Sequence, residues 1–339
     1  MENENEILNV PEQIPDEIVN EPVLSPEEMR RIALKDKKKR GIRRRIKIVV
    51  LTIIALLFAT SFLMPTVLTI ANSFMSANEI STNYGVIFNQ FKEPEYGERK
   101  SSEYISETVN LKFIPDMVTF SQYATVLLKS PDYLLKFWNS VILVVPIVFL
   151  QVFMALGAAY SFTRFRGKRK EVLFFLYIVF MLMPYQVTLV PNYLVADWLG
   201  ILDTRWSIIL PGAFAPFSVY LLTKFMRRIP DSLIEAAKLD GANEWQIFRK
   251  IAMPLCKGPI ASVAILVFFD YWNMVEQPII MLSDQEMHPL SVFLSKINTG
   301  EVGLAFAVAT IYMIPAILIF LYGEDYLVEG ISYQGGVKG

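Results

Sequence analysis

In an otherwise apolar stretch of the C-terminal third stand Asp270, Trp272, Asn273, Glu276 and Gln277, flanked by Phe268, Phe269 and Tyr271. Mixtures of this kind hold sugars, because planar polar groups meet the hydroxyls while aromatic faces stack on the C–H faces of the ring. An ionisable side chain inside a membrane helix costs about 2.5–3.5 kcal/mol on insertion scales, so such groups default to functional candidates. On one continuous helix Asp270, Asn273 and Gln277, at i, i+3 and i+7, share a face. The same groups could equally hydrogen-bond neighbouring helices and hold a bundle together. Tyr185, Gln186 and Asn192 make a weaker version of the same case. As a catalytic carboxylate pair, Asp270 and Glu276 fit poorly: at i and i+6 they are about 120° apart around a helix, and no nucleophile and base support them.

Other chemistry is excluded by what is scarce. One cysteine, Cys256, and one histidine, His288, allow no disulfide framework, no Cys-based metal cluster and no His-rich metal site. His288 reads as a plain loop residue. The internal pair Gly167-Lys168 lacks a glycine five residues earlier and continues Arg-Lys, so there is no phosphate-binding loop. Nucleotide hydrolysis, if involved, belongs to another chain, and no cofactor is expected on this one.

The elements that must position the polar cluster are membrane spans. Of 339 residues, 53% are hydrophobic and 19% charged, and the mean hydropathy is +0.39. Ordinary soluble domains carry roughly 45–50% apolar and about 25% charged residues. The apolar residues gather in six blocks long enough to cross a bilayer: Ile48 to Ala71, Val141 to Phe162, Val172 to Leu194, Trp206 to Phe225, Pro259 to Met281 and Leu304 to Tyr322. Prolines 146, 184, 211, 216, 278 and 315 fall in the later blocks, where bundled membrane helices tolerate them. The expected fold is an all-α integral membrane protein of six transmembrane helices.

With the N-terminus inside, the inner segments hold 24 Lys and Arg and the outer ones 8, which places both termini in the cytoplasm. Trp138, Trp198 and Trp206 fall at outer helix ends, where indoles favour the interface. Residues 1–29 hold nine acidic and no basic side chains, while 30–47 hold eleven basic ones. The first stretch is expected to be disordered. The second reads as a topology anchor ahead of the first span, with anionic lipid binding as the alternative. Residues 72–137 form a long outer loop of no assigned function, and 332–339 an inner tail. No nucleic-acid partner is expected.

The inner segment 229–254 is the most informative. Ser232 with Glu235 predicts a capping box, so a helix should open near Leu233 and stop at Gly241, while Asn243 with Gln246 predicts a second start. The product is a helical hairpin with Leu239, Trp245, Ile247 and Phe248 as apolar surface, the kind of element that invites a partner. Arg249 and Lys250 read as topology-setting charges.

Glu235-Ala236-Ala237, Gly241, Ile251 and Met253-Pro254 together resemble the EAA loop of the membrane subunits of ABC importers, whose pattern is Glu-Ala-Ala-x3-Gly-x9-Ile-x-Leu-Pro. The one departure is Met253 for Leu. More closely, residues 45 to 339 resemble the MalG-type permeases of carbohydrate importers, with Asn139-Ser140 opening the second span and a Gly335-Gly336-Val337-Lys338-Gly339 tail. The resemblance implies a type I importer permease fold. It implies a coupling helix around Leu233 to Trp245 seated in an ATPase cleft, with Glu235 making a charged contact besides capping its helix and Gly241 permitting the turn. It further implies that Gly335, Gly336 and Lys338 run toward an ATPase dimer that carries the ATP and Mg, and that Asp284 to Gly303 reach toward an extracytoplasmic sugar-binding protein. A second, different permease subunit would complete the path in a bacterial cytoplasmic membrane. A permease for a non-sugar solute, or a stand-alone channel or secondary transporter, are the rival readings.

Overall fold

The computed structural model describes residues 25–89, 109–165, 167–296 and 302–332. The acidic stretch before residue 25, the middle of the outer loop, Gly300 and the tail residues Gly335, Gly336 and Lys338 lie outside them. All regular structure among the described residues is helical.

The chain divides into two units, residues 1–65 and 66–339. The first consists, where described, of the greater part of α1 (Pro26–Ser73). Leu56, Leu57, Phe58 and Phe62 are all exposed on it, and a helix apolar on every side suits a lipid environment. Its start lies well before residue 48, so the segment read as a basic tail is helical. Pro26 at the first position, Glu27 and Glu28 in the first turn, and the Ala, Leu, Lys and Arg that follow all favour a helix.

After the last turns of α1 the second unit continues, in the segment expected as an outer loop, with α2 (Ala77–Asn89) and α3 (Ser121–Ala124), the latter running into a π-helical turn, Thr125–Lys129. Instead of a bare loop, this part of the chain is folded. Glu79 accepts from the Asp116 amide at 2.7 Å and pairs with Lys112 at 3.1 Å, and Met75, Ile80 and Tyr84 bury themselves with Phe306 against them. The next helix, α4 (Pro131–Arg164), therefore opens at Pro131, ten residues ahead of the expected apolar block. It carries Pro146 without breaking.

Behind α4 come α5 (Lys168–Met181), α6 (Tyr185–Trp198), α7 (Trp206–Gly212) and α8 (Pro216–Met226). The third expected span is not straight: α5 and α6 meet at 105°. Pro184 sits at the corner with extended backbone (ψ 139°), and the residue before a proline is driven out of the helical region. Residues 206–226 form one apolar crossing despite the interruption ahead of Pro216.

The inner hairpin comprises α9 (Asp231–Leu239), α10 (Glu244–Ile247), a π-helical turn Phe248–Ala252 and α11 (Met253–Leu255). It bends by 75° into α12 (Lys257–Trp272). The fifth expected span ends early, because α12 stops at Trp272 and α13 (Glu276–Met281) restarts after a break. Pro278 explains the break: in a continuous helix its ring would clash with the carbonyl four residues back, that of Met274. Then α14 (Leu290–Ser295) leads to α15 (Val302–Ser332). Among the described residues, four helices are long and apolar enough to cross a membrane, and up to six crossings result if each bent pair is one.

The main core joins α4, α8 and α12, with Leu143, Ile147, Leu222, Met226 and Val263 among its fully buried members. A second contact holds α12 to α15. Trp272, 2% exposed, stacks on Phe268 at 5.1 Å and on Tyr312 at 5.3 Å, and its Nε1 donates to the Tyr312 carbonyl at 3.2 Å. Replacing Trp272 by Ala should cost about 3–5 kcal/mol, seen as a lower unfolding temperature of the detergent-purified protein, whereas Trp272→Phe should keep more than half of that stability.

Candidate functional site

Three constellations sit along the second unit. The inner hairpin is fixed by its turn and by its grip on α4. Gly241 has φ +80°, its amide donates to the Lys238 carbonyl at 3.0 Å, and the Ala242 amide donates to the Ala237 carbonyl at 2.9 Å. This pair of bonds is the Schellman arrangement that closes a helix through a left-handed residue. Asn243 and Gln246 form the expected capping box, with reciprocal bonds of 2.8 and 2.9 Å. The other expected box is not made. Helix α9 opens at Asp231 behind the extended Pro230 and has no side-chain cap bond, so Ser232 and Glu235 already lie inside the helix, and Glu235 has no capping role.

Ile234 and Ile247, 2% and 0% exposed, plug the hairpin into the main core beside Ala155, Leu156 and Ala159 of α4. Tyr160 adds a polar contact: its hydroxyl donates to Glu244 Oε2 at 2.7 Å, while Glu244 Oε1 pairs with Lys238 Nζ at 2.6 Å. The Tyr160 ring lies 5.0 Å from that of Phe248. Arg164 reaches Asp231 at 3.5 Å. Of the four apolar residues expected at the surface, Ile247 and Phe248 therefore point inward. Leu239 and Trp245 point out, 90% and 62% exposed, as do Glu235 and Ala236. Ala237 and Ile251 pack against the core, and Pro254 is exposed at the start of α11.

The second constellation is a cleft of ≈ 740 Å³ at the far end of α12, walled by Phe269, Asp270, Tyr271, Asn273, Glu276 and Gln277 and closed on one side by Tyr185. Four of the five sequence-predicted path residues meet there, though not by sharing a helical face. The helix ends at Trp272, and Gln277 reaches the cleft from α13. Trp272 is the exception, being buried in the α12 to α15 contact and away from the cleft. Asn273 is tied to the wall by its amide on the Phe269 carbonyl at 2.8 Å and by the Tyr312 hydroxyl on its Oδ1 at 3.0 Å. Tyr185 Oη and Gln277 Oε1 are buried with no partner at hydrogen-bonding geometry, an unmet demand that a hydroxyl-bearing ligand or a water would satisfy. Gln186 and Asn192 do not line the cleft.

The third, an outer clamp, is what sequence reasoning missed. Asn139, fully buried, donates to the carbonyls of Glu286 at 2.6 Å and His288 at 3.2 Å and accepts from Arg205 Nη2 at 2.9 Å. Ser140 Oγ accepts the Leu290 amide at 3.0 Å. His288 is not a plain loop residue: it is 8% exposed, and its Nε2 donates to the Leu282 carbonyl at 2.9 Å. Asp203, with φ +60°, takes the Ser283 amide at 2.6 Å, and this backbone bond holds its carboxyl below the usual carboxylate range. The signal was present as Asn139-Ser140, two polar residues at the mouth of an apolar block.

Two substitutions test the hairpin. Tyr160→Phe, which strips one hydrogen bond from a carboxylate, should loosen α10 by about 1–2 kcal/mol, read as faster amide exchange over residues 243–248. Gly241→Ala forces a Cβ into the left-handed region at roughly 1–2 kcal/mol, while Gly241→Asn should be milder.

The sequence pattern of the "binding-protein-dependent transport system inner membrane component" family matches residues 151–333. The arabinooligosaccharides transport system permease protein AraQ of Halalkalibacterium halodurans is 28% identical over 71% of this chain and 87% of its own length. The polygalacturonan/rhamnogalacturonan transport system permease protein YtcP of Bacillus subtilis is 31% identical, covering 69% and 88%. In three dimensions the chain superposes with a TM-score of 0.67 on a chain from the crystal structure of a bacterial ABC transporter that imports the polysaccharide alginate, with 22% identity over 83% of this chain and 96% of that one. Matched over more than half its length, this multi-pass membrane chain belongs to the family of binding-protein-dependent transport system inner membrane components.

Proposed function

We propose that the chain is one permease subunit of an ATP-driven, binding-protein-dependent carbohydrate importer, working with a second, different permease subunit, a pair of ATPase subunits and an extracytoplasmic sugar-binding protein. The observation that carries the reading is the inner hairpin. Two isoleucines lock it into the core while Leu239, Trp245 and Glu235 face outward on a rigid turn, which is the form of a handle for another protein. ATP and Mg would reside on that ATPase. Both termini would be cytoplasmic, as the Lys and Arg bias requires, and the tail residues Gly335, Gly336 and Lys338 would extend toward the same partner.

The carbohydrate assignment is supported by the relatives named for oligosaccharide and polysaccharide transport and by the chemistry of the cleft. Asp270, Asn273, Glu276 and Gln277 offer planar polar groups beside Tyr185, Phe269 and Tyr271. Closure of the ATPase pair would push the hairpin, and α12 would deliver the movement to the cleft. Its 16 residues span about 24 Å, so one rigid helix links the handle to the path and exchanges inward-open and outward-open states.

The test is affinity purification of the tagged chain from its native membrane. The parent should bring down an ATPase subunit and a second permease. Leu239→Asp and Trp245→Ala should each reduce ATPase recovery at least tenfold, and Gly241→Asp should abolish solute uptake. Full recovery and full uptake with all three variants would refute the assignment. Stimulation of ATP turnover by an amino acid or phosphate, and not by any oligosaccharide, would leave the permease and remove the sugar.

A further inference from the structure

A cavity of ≈ 640 Å³ opens where the end of α4, the start of α5 and the end of α8 come together beside α9. It is separate from the cleft on α12 and from the outward face of the hairpin, and neither role uses it. Among the described residues three cations line it, Arg164, Lys170 and Arg227, and each is held in place. Lys170 Nζ bonds to the Ser161 carbonyl at 3.3 Å and Oγ at 3.4 Å and lies 4.0 Å from the centre of the Phe165 ring. Arg227 stands 4.7 Å over the Phe174 ring. Arg164 pairs with Asp231, yet its Nε is buried and makes no hydrogen bond. Glu171 and Asp231 also reach the cavity, so its described residues carry three positive and two negative groups, and the positive excess rests on residues fixed by aromatic and backbone contacts.

The shape of the charge says more than its sum. Lys170, Phe174 and Ile178 all line the cavity and stand at i, i+4 and i+8 on α5, one face of one helix. Along about 12 Å of that face the lining passes from an ammonium group to an aromatic ring to an aliphatic side chain. A free inorganic anion would use only the first of these. A molecule with an anionic head and an apolar tail would use all three, and basic pockets between membrane helices at the cytoplasmic face are where anionic headgroups bind.

We propose that this pocket holds the phosphate headgroup of an anionic phospholipid, with Lys170, Arg227 and Arg164 on the phosphate and an acyl chain laid along Phe174 and Ile178. Its place in the cytoplasmic leaflet rests on the orientation proposed above; the binding itself does not. Because Asp231 and Ile234 of α9 also line the cavity, an occupant would touch the hairpin, and a headgroup on Arg164 would compete with its pairing to Asp231.

The experiment is native mass spectrometry of the full-length chain in neutral detergent, titrated with phosphatidylglycerol, with phosphatidylcholine of the same acyl chains, or with inorganic phosphate. Phosphatidylglycerol should bind at least tenfold more tightly than phosphatidylcholine. Lys170→Gln and Arg227→Gln should each weaken it about fivefold, the fold-change that follows from ~1 kcal/mol per basic residue near an anionic lipid. Lys170→Arg should retain binding, and so should Lys250→Gln, which removes an exposed cation elsewhere. The basic run of α1 is common to all variants, so differences among them report the pocket. Each variant must match the parent in gel filtration and helical circular dichroism, and if Lys170→Gln does not, Arg227→Gln decides. Equal binding of the two lipids, or an equal loss with Lys250→Gln, overturns the proposal. Displacement of the lipid by an equal concentration of inorganic phosphate overturns the lipid as occupant.

Discussion

The hairpin depends on one packing contact, the insertion of Ile234 and Ile247 into the cluster that also contains Ala155, Ala159 and Met226. A surface hairpin of two short helices would fray in water, since helices this short are marginal without tertiary contacts. Burying one isoleucine from each arm turns the hairpin into part of the core, at about 1.5–3 kcal/mol for each fully buried side chain. The Gly241 turn and the Asn243 box then fix the angle between the arms, and Tyr160 and Lys238 hold Glu244 from two sides. Leu239 and Trp245 can remain exposed because the fold does not need them inside.

That arrangement explains why the breaks in the helices fall where they do. The chain bends by 75° near Cys256, the geometry through which, in the proposed transport cycle, a movement of the hairpin would become a tilt of α12. At its other end α12 stops at Trp272, which is pinned between Phe268 and Tyr312. Beyond this pin, Asn273 to Val275 wall the cleft on irregular backbone, and Glu276 and Gln277 join them from the first turn of α13. Non-helical backbone at membrane depth is tolerated where it is buried in protein or lines a cavity. Here Pro278 imposes it and the cleft accommodates it, so the polar groups gather around an opening instead of along a face that lipid or another helix would cover.

What the sequence disclosed and what it hid follow a physical line. Local signals were legible. Gly241 needed a positive φ, and Asn243 with Gln246 needed only each other, so both could be read three residues at a time. The Ser232 and Glu235 signal was equally local but lost to Pro230, whose extended backbone started the helix earlier and moved both residues into its interior. The apolar blocks gave the crossings but not their corners, because a proline inside α4 or α15 leaves the helix continuous while Pro184 and Pro278 do not. Only neighbouring helices decide which. The path residues were found by type, and Trp272 was misplaced among them because an indole's surroundings are set by side chains 40 residues away, here Tyr312.

Long-range polar contacts were the least legible, and they share a purpose. Asn139 meets Glu286 and His288 across almost 150 residues, and Tyr160 meets Glu244 across 84. In both places one of the two ends of α4 supplies the partner: its outer mouth holds the loop ahead of α14, and its inner end holds the hairpin. A helix of 34 residues, about 50 Å long, thereby ties the clamp at one end of the fold to the hairpin at the other. Helix α4 thus joins the hairpin, the core helices α8 and α12 and the clamp in one continuous element. Buried polar groups at its two ends anchor loops, and between them Gln151 donates to Ser218 of α8 at 2.6 Å, which ties α4 to α8 in a middle otherwise made largely of apolar contacts.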